Sequence, residues 1–243
     1  MIISSTPDSA GSALPPVIGV VASQLFNPYQ QKVLDEVTRQ LNARGMVTVL
    51  LSGQTQEELT ALIRRSAPLV LRGLLVLPGS RVTDAGHLPV LEFDAEPELQ
   101  ADALQAAGRV LNAGLTAEGD DRESAWQAMM HYLKKTRASE RIQALFCESD
   151  LLAFGAMQAI RDFGQGAHLA VAGFGDSEEA RSATWHLTSW SPDIRQIMGN
   201  ALDRWLGQHV VTSQVQGQLA RRHSHFGKIA PGEMSACGCA FRH

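Results

Sequence analysis

The chain of 243 residues has few cysteines, no surplus of positive charge and no long apolar run. Its three cysteines are an odd number with two close to the end, so they do not make a disulfide framework, and a reducing compartment is expected. Lysine and arginine total 21 against 25 aspartate and glutamate, a net charge of −4, which leaves no cationic excess for an autonomous nucleic-acid binder to neutralise phosphates. No apolar stretch approaches the roughly 20 residues that span a bilayer. Residues 1–16 lack the basic start and apolar core of a secretory signal. These absences predict a cytoplasmic protein with no membrane partner. Gly-x-Ser-x-Gly, His-Glu-x-x-His and Gly-x-x-x-x-Gly-Lys motifs are missing as well, so no catalytic residue, cofactor or enzymatic activity is expected.

What is present is an apolar chain, 44% hydrophobic and 19% charged, long enough for a full core or a pair of small lobes. Residues 1–16, rich in Ser, Pro and Gly and ending in Pro15-Pro16, read as a flexible leader. A buried strand is predicted at 17–22. A helix follows at 29–43, with Val33, Val37 and Leu41 at helical spacing and Gly45 to stop it. The next strand is 47–51. Thr55 and Glu58 have capping-box spacing ahead of a helix carrying Leu59, Leu62 and Ile63 up to Pro68. Strands at 74–77, stopped by Pro78-Gly79, and at 89–93, ending at Asp94, complete a β-α-β-α-β series. Strands this apolar imply a parallel sheet covered on both faces, with right-handed crossovers.

The second half repeats the theme: helix 124–133, strand 144–147, helix 151–163, strand 169–174 and a further helix at 194–206. Two α/β lobes suggest a hinged cleft, with ligand beyond the carboxyl ends of the strands. Those ends hold residues 23–29, 78–80, 94, 148–150 and 175–176, which are expected to face one another.

Several segments resemble one family in register. The run Val17-Ile-Gly-Val-Val followed by Phe26-Asn-Pro-Tyr29 and Gly45 resembles the opening of the effector-binding domain of LacI-type bacterial transcription regulators. Leu71-Arg-Gly-Leu-Leu-Val-Leu77 resembles the family's third strand, and Leu145-Phe-Cys-Glu-Ser-Asp150 its strand and loop around an Asn-Asp pair. Val171-Ala-Gly-Phe-Gly-Asp176 is similar to its Gly-Phe-Asp-Asp strand end, and Leu187-Thr188-Ser189 to its returning segment. The resemblance implies a periplasmic-binding-protein type I-like α/β fold of two Rossmann-like lobes with parallel sheets around a hinged ligand cleft. It divides the chain into a leader 1–16, an N-terminal lobe 17–95, a shortened C-terminal lobe 96–186, and a returning segment, helix and tail 187–243. Two departures stand out. Residues 1–16 are too short and too rich in Pro, Ser and Gly to be the family's helix-turn-helix. Around Leu111-Asn112, where the family has a helix, a strand and another helix, the chain is shorter by about 30 residues, the length of a small supersecondary unit; as a true deletion this removes the first strand of the second lobe.

The same resemblance implies that Asn27, Tyr29 and Gln30 line the cleft. An aromatic face there stacks on the C–H surface of a sugar while amides bond its hydroxyls. Asn27 is equally placed to cap a helix. Asp94 matches an Asp-Arg pair of the family, but Ala95 stands where the arginine is expected. Ser149 and Asp150 match the Asn-Asp pair of the second lobe, with Asp150 also placed to cap the following helix; Phe146 before them is placed to flank the ligand or to pack in the core, and Asp176 matches a carboxylate that the family uses on sugar hydroxyls. Trp185 and Trp190 flank the returning segment, where core packing is the plainer role. His223-x-His225 with Cys237-x-Cys239 offers four zinc-type ligands without zinc-knuckle spacing, so a frayed tail and no metal are expected. Arg221-Arg222 reads as a solvated turn.

The expected function is therefore that of a non-enzymatic domain that binds a small sugar or sugar acid, forms a homodimer and controls DNA only through a helix-turn-helix outside this chain. A solute-binding protein for sugar uptake, and a ligand-less dimerisation module of the same fold, are the alternatives.

Overall fold

Six residues without a polar side chain, Val17–Ala22, form strand β1, and five of them are buried. In the computed structural model, which describes residues 14–22, 27–66, 69–93, 114–164, 168–208 and 217–227, β1 lies inside a four-stranded parallel sheet of order β2-β1-β3-β4. The other strands are β2 (Val47–Ser52), β3 (Leu71–Val76) and β4 (Val90–Glu92). Helix α1 (Pro28–Ala43) is capped by Asn27, whose Oδ1 accepts the Tyr29 N–H at 2.8 Å, and has Pro28 at its first position. The chain leaves α1 through Gly45 at φ 73°, a conformation that glycine adopts without strain. Helix α2 (Gln56–Arg65) starts with the full capping box of Thr55 and Glu58. Its buried Leu59 and Ile63 join Val21, Leu51, Leu71, Leu74 and Val76 in one core cluster.

Two features of this sheet differ from the expectation. Strand β3 begins at Leu71, three residues early. Arg72 breaks the apolar run, but the register shift beside Val17 turns it outward, and its neighbours stay buried. Strand β2 is an edge strand with Val47 and Leu50 exposed, so the sheet is not covered at that end.

The chain divides into two units, the first comprising Met1–Val110 and Asp193–Gln216 and the second Leu111–Pro192 and Gly217–His243. Helix α5 (Ile194–Trp205) therefore belongs with β1–β4. It is tied to α1 by Gln40 Nε2, which donates to the Arg195 carbonyl at 2.8 Å, and by the Arg44–Asp203 ion pair at 2.5 Å. Its Trp205 indole lies over Gly73 of β3, where a Cβ would come within 2.5 Å of the ring.

The second unit is built on a four-stranded sheet of order β5-β6-β7-β8, with β5 (Ala144–Phe146), β6 (Ala170–Phe174), β7 (Thr188–Pro192) and β8 (Gly217–Ala220). Strands β5, β6 and β7 are parallel. Strand β8 runs antiparallel to β7, which corrects the expectation of an all-parallel sheet. The chain leaves along β7 and comes back along β8, so the two must point in opposite directions.

Helices α3 (Arg122–Lys135) and α4 (Asp150–Phe163) pack closely. Their contact depends on Gly155, where a Cβ would collide with the Arg122 carbonyl oxygen. Met129, Leu133, Phe154, Val171 and Leu187 form the core beneath them. No helix among the described residues is long and apolar enough to cross a membrane.

Candidate functional site

In the first unit the expected residues gather at the start of α1, beside the carboxyl ends of β1 and β3. Asn27 is the helix cap already described. Tyr29 is buried, and that burial pushes its phenol well above the ordinary value, so the hydroxyl stays protonated. Gln30 is buried too, and its Nε2 donates to the Pro78 carbonyl at 2.5 Å across 48 residues. Gly79 makes room for this contact, since a Cβ there would lie 3.2 Å from Gln30 Nε2. Gln30 Oε1 is buried without a hydrogen-bond partner among the described residues. A buried amide oxygen in that state is an acceptor waiting for a donor. Asp94 lies outside the described residues; Phe93 before it is buried, with its N–H on the Val76 carbonyl at 2.9 Å.

In the second unit Ser149, Asp150 and Asp176 are brought together at the carboxyl ends of β5 and β6. Helix α4 starts one residue earlier than expected, so Ser149 and not Asp150 is its cap. Ser149 Oγ accepts the Leu152 N–H at 3.2 Å and donates to Asp120 Oδ1 at 2.8 Å. Asp150 is released for a different task. Its Oδ1 accepts the Ser189 hydroxyl and its Oδ2 the Ser177 N–H, both at 2.6 Å. Ser189 in turn accepts the Asp176 N–H at 3.0 Å, so one buried carboxylate joins α4, β7 and the loop after β6. Burial raises the Asp150 carboxyl above its ordinary value, against the hydrogen bonds of Ser189 and Ser177. Phe146, half-buried, ends β5.

Asp176 stands at φ 47°, in the left-handed region that is unusual for a residue other than glycine. Its side chain is 8% exposed, and both oxygens are held: Arg222 Nη2 donates to Oδ1 at 2.6 Å and Arg181 Nη2 to Oδ2 at 3.0 Å. Burial alone would raise this carboxyl; the two guanidinium groups outweigh it and hold the group below its ordinary value.

Arg222 is the residue that the sequence reading missed. Expected on a solvated turn, it is only 16% exposed, and its Nη1 also donates to the Leu187 carbonyl at 2.6 Å. Its partner Asp176 is 46 residues away, and no local pattern announces such a pair.

The histidines near the end are not a frayed tail either. His223 and Ser224 donate backbone N–H groups to the His186 carbonyl at 3.0 and 3.1 Å. Ser224 Oγ donates to the Val171 carbonyl at 2.6 Å, and His225 Nδ1 lies 2.7 Å from Thr188 Oγ1. Cys237 and Cys239 lie outside the described residues, and among those described no group of three or more metal-ligating side chains is assembled. Trp185 stacks on Phe154 at 4.9 Å, with the Arg161 guanidinium 4.7 Å above its ring, as a core residue would. Trp190 packs against Gly217 of β8. Cys147 is buried, and burial, with Asp150 and Glu148 adding to it, pushes its thiol up to about 12, far from a nucleophile's range.

The chain thus has two α/β units, one on a parallel and one on a mixed sheet, each with polar side chains at the carboxyl ends of its parallel strands. The chain belongs to the periplasmic binding protein-like domain family, whose sequence pattern matches residues 95–224, more than half of it. No curated protein matches the chain.

Its fold is shared by solved structures of LacI-family transcriptional regulators. One from Sanguibacter keddieii has 19% identity and a TM-score of 0.61, with 87% of this chain and 100% of that chain covered. Another from Lactobacillus casei, with bound sucrose, has 17% identity and a TM-score of 0.58 over 86% of this chain and 99% of that chain. A third is a complex of the transcriptional regulator CelR with cellobiose, at 20% identity and a TM-score of 0.64 over 87% of this chain and 86% of that chain.

Proposed function

We propose that the chain is the effector-binding and dimerisation domain of a LacI-type transcription regulator, cytoplasmic and without enzymatic activity. In this reading it senses a small sugar or sugar acid and controls DNA binding by a helix-turn-helix outside residues 1–243. The observation that carries the reading is the pair of polar strand-end groups, Asn27, Tyr29 and Gln30 in one unit and Ser149, Asp150 and Asp176 in the other, in a fold whose solved neighbours include sucrose and cellobiose complexes. Asp94 is assigned to the first group on the family resemblance, and Phe146 to the second. Gln30 Oε1, buried and without a hydrogen-bond partner among the described residues, is an acceptor for a ligand hydroxyl. The mechanism is linkage: an effector that binds one arrangement of the two units more tightly than the other shifts the population toward it, and a homodimer passes the shift to DNA. An effector of equal affinity for both arrangements shifts nothing.

One observation favours a second reading. Asp150 and Asp176 already have protein partners on both oxygens, which is the state of carboxylates that hold a fold together and have no ligand to serve. A thermal-shift screen of the purified chain against sugars, sugar acids and sugar phosphates separates the two. A ligand at 100 times its dissociation constant adds about 2.7 kcal/mol to the folded state. A saturable rise for one chemical class, reduced at least tenfold in affinity by Asp176→Asn, is the expected result. A cooperative melt that no compound moves leaves the ligand-less module standing.

A further inference from the structure

Among the bonds that fasten the turn after β8 to the sheet, one runs through the buried hydroxyl of Thr188. Thr188 is 1% exposed, and its Oγ1 accepts the Arg222 N–H at 2.7 Å while lying 2.7 Å from His225 Nδ1. If Nδ1 is bare, the threonine donates to it and every group is satisfied. If Nδ1 carries a proton the contact turns round: the hydroxyl oxygen accepts twice, and its buried hydrogen must find another acceptor. A ring whose Nδ1 accepts from Thr188 leaves no buried hydroxyl hydrogen without an acceptor, which favours a neutral His225 with its proton on Nε2.

The charges around the ring point the same way. On its own segment stand Arg221, Arg222 and His223. Across from it are Thr188 on β7 and His186 just before β7, whose ring lies 4.8 Å from that of His223, and His168 lies beside Gly227. The carboxylate paired with this segment, Asp176, is taken by Arg222 and Arg181. Burial, with Arg221 and His223 adding to it, lowers the His225 pKa from 6.5 against a bond to the Arg222 backbone.

We propose that residues 221–226 form a proton-operated latch on the second unit. Neutral His225 holds the turn on Thr188 of β7, and its protonation in mildly acidic solution loosens the turn and slackens the hold of Arg222 on Asp176. The latch stands on the hydrogen bonds alone; its consequence for effector binding rests on the assignment of Asp176 to the ligand site. The sign follows from the fastening. A neutral His225 is the folded form, so the contribution is full above 6.5 and is lost as the pH falls below that value.

Histidine-ring NMR of the purified chain, titrated from about pH 8 to about pH 5, tests this, with hydrogen exchange of the 221–226 amides corrected for intrinsic rates over the same range. The expected result is an Nε2–H tautomer and a His225 midpoint below 6.5, with amide protection falling about tenfold through the same transition. His225→Asn keeps an acceptor for Thr188 that does not titrate, identifies the resonance by its loss, and should hold the turn closed in acid. A His225 midpoint at or above 6.5, an Nδ1–H tautomer, or protection unchanged through the transition overturns the latch. The wild-type titration decides the matter even if the variant does not fold. Because no readout uses a ligand, failure of the latch and failure of the effector reading appear separately.

Discussion

Replacing Arg222 by methionine tests whether its pair with Asp176 is an energetic feature of the second unit. The substitution keeps an apolar stem and removes two donors, one on Asp176 Oδ1 and one on the Leu187 carbonyl, each at 2.6 Å. Breaking a buried ion pair by removing one partner costs about 3–5 kcal/mol. Arg181 still holds the other oxygen at 3.0 Å, but its side chain is 63% exposed and its attraction is screened by solvent, so the cost falls near the lower end, about 3 kcal/mol. Hydrogen exchange of the β6 and β7 amides at neutral pH reads this as a roughly hundredfold rise in opening.

In an Asp176→Asn background the same change removes the bond to the Leu187 carbonyl, some packing and a neutral hydrogen bond to the amide oxygen, about 1–2 kcal/mol, without the ionic part. The pH dependence has a fixed sign. Asp176 is held below its ordinary 3.8, so its contribution is full above 3.8 and is lost as the pH falls below it. The gap between wild type and Arg222→Met should shrink over that window. An equal cost of Arg222→Met in the wild-type and Asp176→Asn backgrounds, or a cost under about 0.5 kcal/mol, refutes the pairing as a source of stability.

Two other expectations follow from packing and burial. Gly155→Ala gains about 1 kcal/mol in helix propensity, yet its Cβ collides with the Arg122 carbonyl oxygen and meets the Ala125 Cβ at 2.8 Å. Overpacking against backbone should prevail, with a net loss of about 2 kcal/mol in thermal unfolding; a stabilised variant would contradict the close approach of α3 and α4. With Cys237 and Cys239 changed to serine, the remaining Cys147, its thiol raised to about 12, should resist a disulfide reagent until the chain is unfolded. Rapid labelling of the native protein would show that the thiol is accessible.

Local chemistry was legible in the chain wherever the cause is local. Thr55 and Glu58 spelled out the start of α2, and the spacing of Val33, Val37 and Leu41 gave the buried side of α1. The apolar run alone starts β3 at Leu74, past Arg72, whereas the family resemblance covers Leu71 to Leu77; a register shift turns the charged residue outward at little cost. The four residues Gly217–Ala220 have no alternation that marks them as a strand, and their direction depends on where the chain returns. The site followed the same division. Family resemblance singled out Ser149, Asp150 and Asp176 as candidates, without saying what they bond. A helix beginning one residue earlier moves the capping duty to Ser149 and leaves Asp150 for Ser189 and Ser177. Pairings such as Asp176 with Arg222 are fixed by the folded sheet, so a periodic pattern carries no trace of them.

The departure of the chain along β7 and its return along β8 has a consequence for how the protein can be made. Neither unit is one continuous stretch: the first needs Asp193–Gln216, and the second needs Gly217 onward. During synthesis, Asp176 leaves the ribosome long before Arg222, and β7 has an open edge until β8 arrives to pair with it. A fragment ending at Pro192 would carry that unpaired edge permanently, together with a buried carboxylate missing its best partner. Fragments for biophysical work should therefore be cut with both crossings intact, or the second unit made alone with Asp193–Gln216 replaced by a short turn that joins Pro192 to Gly217.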